Sequence, residues 1–340
     1  MKRYFGLICL FVISILLQPS LQAQEVKKER FYIIGAGHFA DEVVKLEALL
    51  HRWGVDKNKE KIPNLIDAVK NAKEFETVVI AMHALARMGA EEALPEVDKV
   101  LEDTKKRLSS HPYLVLAELC HARLVAEIKS KEGTAEEKAE KKLNTFLEEM
   151  KLTIEEINEK SGQSVKGSFF ATREAYILRE IADMIYQTKD TALTQLAKDR
   201  NLKFTNEKYA DIKMQLCPKT QRERITWILD HLSKVEAVTQ DSYCAVQLAI
   251  DEGVPASNAA VDKLKEMSKN RKNYEKKFGD EIYYPGFVAV MLVIEGIGDK
   301  QPHSFLTELA KGEQNDIAGS ALQTLAYTAK GIGRVFDMIF

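Results

Sequence analysis

Apolar residues recur at three- and four-residue spacings along most of this chain. The first clear run predicts a helix over residues 38–53, with Phe39, Val43, Leu46, Leu49 and Leu50 on one face and Gly54 closing it. A charged linker follows, and Ile62-Pro63-Asn64-Leu65-Ile66 opens a second helix with Pro63 in its first turn, where a missing amide proton breaks no bond. The plan returns over Phe75–Met88, apolar at Phe75, Val78, Val79, Met82, Leu85 and Met88. Gly89 ends that run, and Glu92-Ala93-Leu94-Pro95 leads into a helix through Val97, Val100 and Leu101 to Asp103. Gly54 and Gly89 are 35 residues apart and Pro63 and Pro95 are 32 apart. A period of that size, marked by Gly at one helix end and Pro early in the next helix, predicts a helical repeat whose hairpins must stack to bury their apolar faces.

The rest of the chain extends this pattern with less punctuation. Helices are predicted over residues 169–186, 192–202, 209–216 and 225–235, with Pro218 ending the third. Residues 245–253, then Val254-Pro255 and 261–267, form a further pair. Residues 288–298, Gln301-Pro302 with 305–309, and a helix from Ile317 through Ala321-Leu322 and Leu325-Ala326 form the last group. The charge-dense run from Lys129 to Lys142 reads as the solvated start of a helix, because acids and bases alternate in it. The stretch Val78 to Asp103, with its Ala84-Leu85 pair, Gly89 and Pro95, resembles a HEAT-like repeat, and residues 288–326 look similar. The fold that this resemblance implies is all-α, an α-solenoid of stacked antiparallel helix pairs in the HEAT/armadillo-like manner. At ~40 residues per pair, about sixteen helices are expected. Two stretches are expected, N-terminal HEAT-like repeats over 38–157 and irregular helices with HEAT-like repeats over 168–340. The polar segment 158–164 lies between them.

The first 23 residues change the address. Lys2 and Arg3 precede an uncharged run from Tyr4 to Leu17, and Leu21-Gln22-Ala23 stands before Gln24, the three-part order of a secretory signal peptide. Cleavage after Ala23 is expected, leaving a lead-in over 24–37 and a periplasmic or extracellular protein with no membrane span. The apolar run is too short for a spanning helix, which needs about 20 residues. With Lys plus Arg at 49 and Asp plus Glu at 51, the formal charge of −2 offers no general attraction to nucleic acid, so no nucleic-acid partner is expected. Removal of Cys9 with the leader would leave Cys120, Cys217 and Cys244, enough for at most one internal disulfide and no disulfide framework.

Candidate chemistry is sparse. Gly35-Ala36-Gly37-His38-Phe39-Ala40, after a short β-prone run, has the form of a dinucleotide-binding turn, but residues 54–61 are too polar to be the next buried strand. A helix-starting turn is expected instead. Glu118 and His121 stand three apart on a helix, yet no second such pair exists, and His51, His83 and His121 read as solvated or satisfied side chains. Lys263, Lys265, Lys269, Arg271, Lys272, Lys276 and Lys277 form the densest basic cluster, followed by Tyr283 and Tyr284. No catalytic residue, cofactor site or metal site is assigned. The expectation is a non-enzymatic scaffold whose helical surface holds a protein partner. The alternatives are an extracytoplasmic polymer-acting enzyme with two groove carboxylates of raised pKa, or a structural spacer in an envelope assembly.

Overall fold

In a computed structural model of the chain, residues 39–107, 112–163, 172–278, 280–312, 315–331 and 333 are described. They form seventeen α-helices and, among the described residues, no strand. In chain order these are α1 (Phe39–Val55), α2 (Ile62–Asn71), α3 (Phe75–Met88), α4 (Leu94–Arg107), α5 (Pro112–Lys129), α6 (Ala135–Met150), α7 (Ile154–Lys160) and α8 (Arg173–Thr188). They continue as α9 (Thr191–Asp199), α10 (Lys208–Leu216), α11 (Gln221–Leu232), α12 (Gln240–Asp251), α13 (Val254–Lys269), α14 (Arg271–Phe278), α15 (Asp280–Ile297), α16 (His303–Ala310) and α17 (Asn315–Lys330).

Local chemistry sets many of these boundaries. Pro63 and Pro255 sit in the first turns of α2 and α13. Thr134 with Glu137, Thr153 with Glu156 and Thr220 with Glu223 form reciprocal capping boxes at the starts of α6, α7 and α11. Gly89, at φ 58°, closes α3 in the left-handed conformation expected of a glycine cap. Gly54 does not close α1, which runs on to Val55. A Cβ at Gly54 would lie 2.7 Å from the Cα of Ala84, so this glycine allows α1 and α3 to approach closely. Helix α15 begins eight residues before the predicted start at 288 and runs through Pro285. There Gly286 faces the Ser233 carbonyl at the end of α11, which a Cβ would meet at 2.5 Å.

Two kinds of helix emerge. In α3 every residue from Thr77 to Arg87 is buried, and α8 and α15 are buried almost as completely over their middle turns. By contrast α4 buries only Val97, Leu101 and Thr104, a single stripe that faces the protein while charged residues face water. The enclosed helices lie side by side, α1 on α3, α3 on α5, α5 against α8 and α8 on α10, and further along α12 on α15 and α15 on α17. The one-faced helices pack against them, α2 on α3, α4 on α5, α6 on α5 and α13 on α15. Full burial of side chains such as Leu50, Leu65, Leu116 and Phe287 stabilises this arrangement by roughly 1.5–3 kcal/mol each.

The apolar interior divides into two clusters, one running from Leu46 to Ala210 and one from Tyr186 to Ala321. Helices α8 and α10 contribute to both, and Cys217 packs against both. One contact spans a much greater sequence distance. His51 on α1 bonds Asp251 at the end of α12 across 200 residues, and Gly253 lies against Arg52. In an open stack each repeat touches only its neighbours, whereas here α1 meets α12.

Candidate functional site

Where α8 and α10 join the two apolar clusters, polar and charged side chains from five helices, α1, α3, α8, α10 and α12, converge on a cavity of about 60 Å³. Helical spacing does the local work: His83 and Arg87 are four apart on α3, Glu180 and Asp183 three apart on α8, and Gln247 and Asp251 four apart on α12, so each pair shares a face. Helix α1 adds His51 and α10 adds Lys213, and Val79, Ile80 and Leu248 complete an apolar side.

Arg123, on α5, organises the charges behind this cavity. Its Nη1 donates to Glu180 Oε1 at 2.5 Å and to Asp183 Oδ2 at 2.7 Å, and lies 3.3 Å from His83 Nε2; its Nη2 donates to Gln187 at 3.2 Å. Lys213 Nζ donates to the other Asp183 oxygen at 2.7 Å. Arg87 reaches Asp183 Oδ2 only at 3.4 Å. At the α1 side, Asp251 Oδ1 lies 2.8 Å from His51 Nε2 and accepts from Gln247 at 2.9 Å. Arg179 pairs with Glu207 at 2.9 Å and lies over the Tyr209 ring at 4.6 Å.

Burial alone pushes both α8 carboxyls up, but the cations overcome it. Arg123, with His83, brings Glu180 down to about 2, while Lys213, Arg87 and Arg123 hold Asp183 well below the usual carboxylate range. Burial, with Arg87 beside it, lowers the His83 imidazole to about 4, so His83 is neutral at neutral pH. Burial likewise opposes the Asp251 carboxylate, and His51 outweighs it.

Among the described residues His83, Glu180 and Asp183 form a group whose ligand atoms lie within 4.8 Å of one another, close enough to hold a metal ion. Arg123 Nη1 already stands within 3.3 Å of all three atoms. The guanidinium thus supplies the positive charge that a metal would bring, and a divalent ion there would be repelled by it.

The sequence candidates are dispersed. Residues 31–38 of the dinucleotide-like motif lie outside the described residues, as do the leader and lead-in. Glu118 pairs with Arg173 at 3.2 Å, while His121 bonds Asp98 at 2.9 Å, so the two residues do not share a site. His51 and His83, read as bland, both line the cavity. In the charged run from Lys129 to Lys142, which extends into α6, Lys142 is buried and paired with Glu127 at 2.9 Å, an exception to the solvated reading. Lys263 is neutralised by Asp230 at 2.7 Å and Arg271 by Glu275, whereas Lys269, Lys272 and Lys276 are exposed and form no ion pair with the described side chains. Tyr283 is buried beside Phe287, and Tyr284 is exposed. Cys120, Cys217 and Cys244 form no disulfide with one another.

The sequence reading missed Arg87, Arg123, Glu180, Asp183 and Lys213. A signal for Arg87 is visible afterwards: it is the one Lys, Arg, Asp or Glu in the helical run Val78–Met88. No described helix is long and apolar enough to cross a membrane. The chain matches no protein-family model, no curated protein and no solved structure.

Proposed function

We propose that the chain is a non-enzymatic, exported binding protein, a HEAT-like stack of helix pairs curved until α1 meets α12, whose surface takes a protein partner. The leader over residues 1–23 would direct it to a periplasmic or extracellular space. The observation that carries the choice between binding and catalysis is the state of the cavity carboxylates. An enzyme cleaving a polymer by acid–base chemistry needs one carboxyl protonated near neutral pH. Glu180 and Asp183 are instead held ionised by Arg123, Lys213 and Arg87. Fixed ion pairs of this kind suit a positioned interior better than proton transfer.

For the partner, the exposed Lys269, Lys272 and Lys276 along α13 and α14 favour an acidic protein surface, since they stand out on a chain of balanced charge. The test is affinity capture by immobilised residues 24–340 from an envelope extract, followed by titration of the purified captured protein. The expected outcome is saturable, salt-sensitive binding that weakens at least ~10-fold in the Lys269→Glu, Lys272→Glu, Lys276→Glu variant. No saturable partner at any salt concentration would overturn the reading and shift attention to the enzyme or spacer alternative.

A further inference from the structure

Arg87 is the cation in the cavity wall whose donors are least used. It is only 8% exposed, its Nε has no hydrogen-bond partner among the described residues, and its hydrogen bond to Asp183 spans 3.4 Å. Asp183 has little left to offer, since one oxygen takes Lys213 and the other takes Arg123, each at 2.7 Å. A guanidinium carries five N–H donors in a fixed fork. Leaving a buried donor unmet costs about 1–3 kcal/mol, and more for a charged group. The cavity is where a complementary acceptor would fit.

We infer that this cavity is a binding site for a small monocarboxylate, its two oxygens seated on the Arg87 guanidinium and its short carbon chain against Val79, Ile80 and Leu248. Three properties select that class. A cation is disfavoured by Arg123 Nη1, which stands among the only nearby group of ligand atoms able to hold a metal among the described residues. The planar carboxylate edge matches the guanidinium fork, and a single negative charge is tolerated beside Glu180, Asp183 and Asp251 better than the double charge of a phosphate. Size sets the limit, because about 60 Å³ equals only a few waters at ~10–15 Å³ each, so an acid of acetate or propionate size fits and a polymer does not.

This site is separate from the lysine strip on α13 and α14, so the inference does not depend on the protein partner. The experiment titrates the full chain with carboxyl-labelled propionate, followed by carbon NMR and thermal unfolding. Propionamide, sodium phosphate and sodium chloride at equal ionic strength serve as comparisons. The expected result is saturable uptake of one propionate per chain with a raised melting temperature, neither of which propionamide produces. Arg87→Gln should weaken uptake ~10-fold or more. Leu248→Phe, which keeps Arg87 and fills the apolar side, should abolish it, and this variant decides the matter if Arg87→Gln does not fold. No saturable uptake by the unaltered chain, preference for phosphate, or undiminished uptake in Leu248→Phe would each overturn the inference.

Discussion

Removing the Arg123 guanidinium would leave Glu180 and Asp183 buried side by side without the nitrogen they share, 2.5 and 2.7 Å away. Breaking a buried ion pair from one side typically costs 3–5 kcal/mol, so Arg123→Met is expected to lower the urea-unfolding free energy by about that amount. The sign of the pH dependence follows from Glu180, whose folded value of about 2 lies below the ordinary 4.5. Its stabilising contribution is present above pH 4.5 and lost as pH falls toward 2, so the gap between the two proteins should narrow over that window. His83 acts higher on the scale. Its folded value is lowered from 6.5 to about 4, so the unfolded chain takes up a proton that the folded chain refuses. Stability is therefore full above pH 6.5 and declines as pH falls to 4, by about 3 kcal/mol at most. Melting temperatures of His83→Gln across pH 7 to 4 should be flatter than those of the parent, with the decline below 4.5 retained. None of this could be read from residue type, because His83 and His121 look alike until burial separates them.

At the scale of the element, two glycines make opposite predictions. A Cβ at Gly54 meets Ala84 at 2.7 Å, whereas one at Gly319 on α17 meets nothing within 4 Å. Gly54→Ala should therefore destabilise the protein by about 1–3 kcal/mol through forced separation of α1 and α3. Gly319→Ala should stabilise it by about 0.5–1 kcal/mol through helix propensity alone. Chemical denaturation of the two variants distinguishes these roles. The helices themselves were legible in good part: α3 has the predicted bounds, and the Pro signals that open α2 and α13 are local. The reading of Gly54 as a helix end failed because the same residue type serves termination and close packing, and only the neighbouring helix decides which. The helix predicted from residue 288 starts at Asp280, because the buried Tyr283 and Phe287 hold the turn around Pro285 and Gly286 against the core as part of the helix.

For the whole molecule, the consequential contact is His51 with Asp251, which joins α1 to α12 at 2.8 Å. His51→Ala should raise amide exchange in α1 and at the end of α12 together, while α4 and α6, which take no part in the contact, keep their protection. Equal loosening throughout would show that the contact does not act as a local clasp. The apolar positions, recurring every three to four residues, were enough to determine helices throughout the described residues, because that period arises from contacts local in sequence. They did not determine which charged residues would be enclosed. That choice belongs to the tertiary structure, because Arg87, Arg123, Asp183 and Lys213 lie on four different helices and become partners only when α3, α5, α8 and α10 are laid side by side. A charge on an amphipathic helix faces water at no cost, whereas a charge on a helix buried all round must find its counter-ion inside.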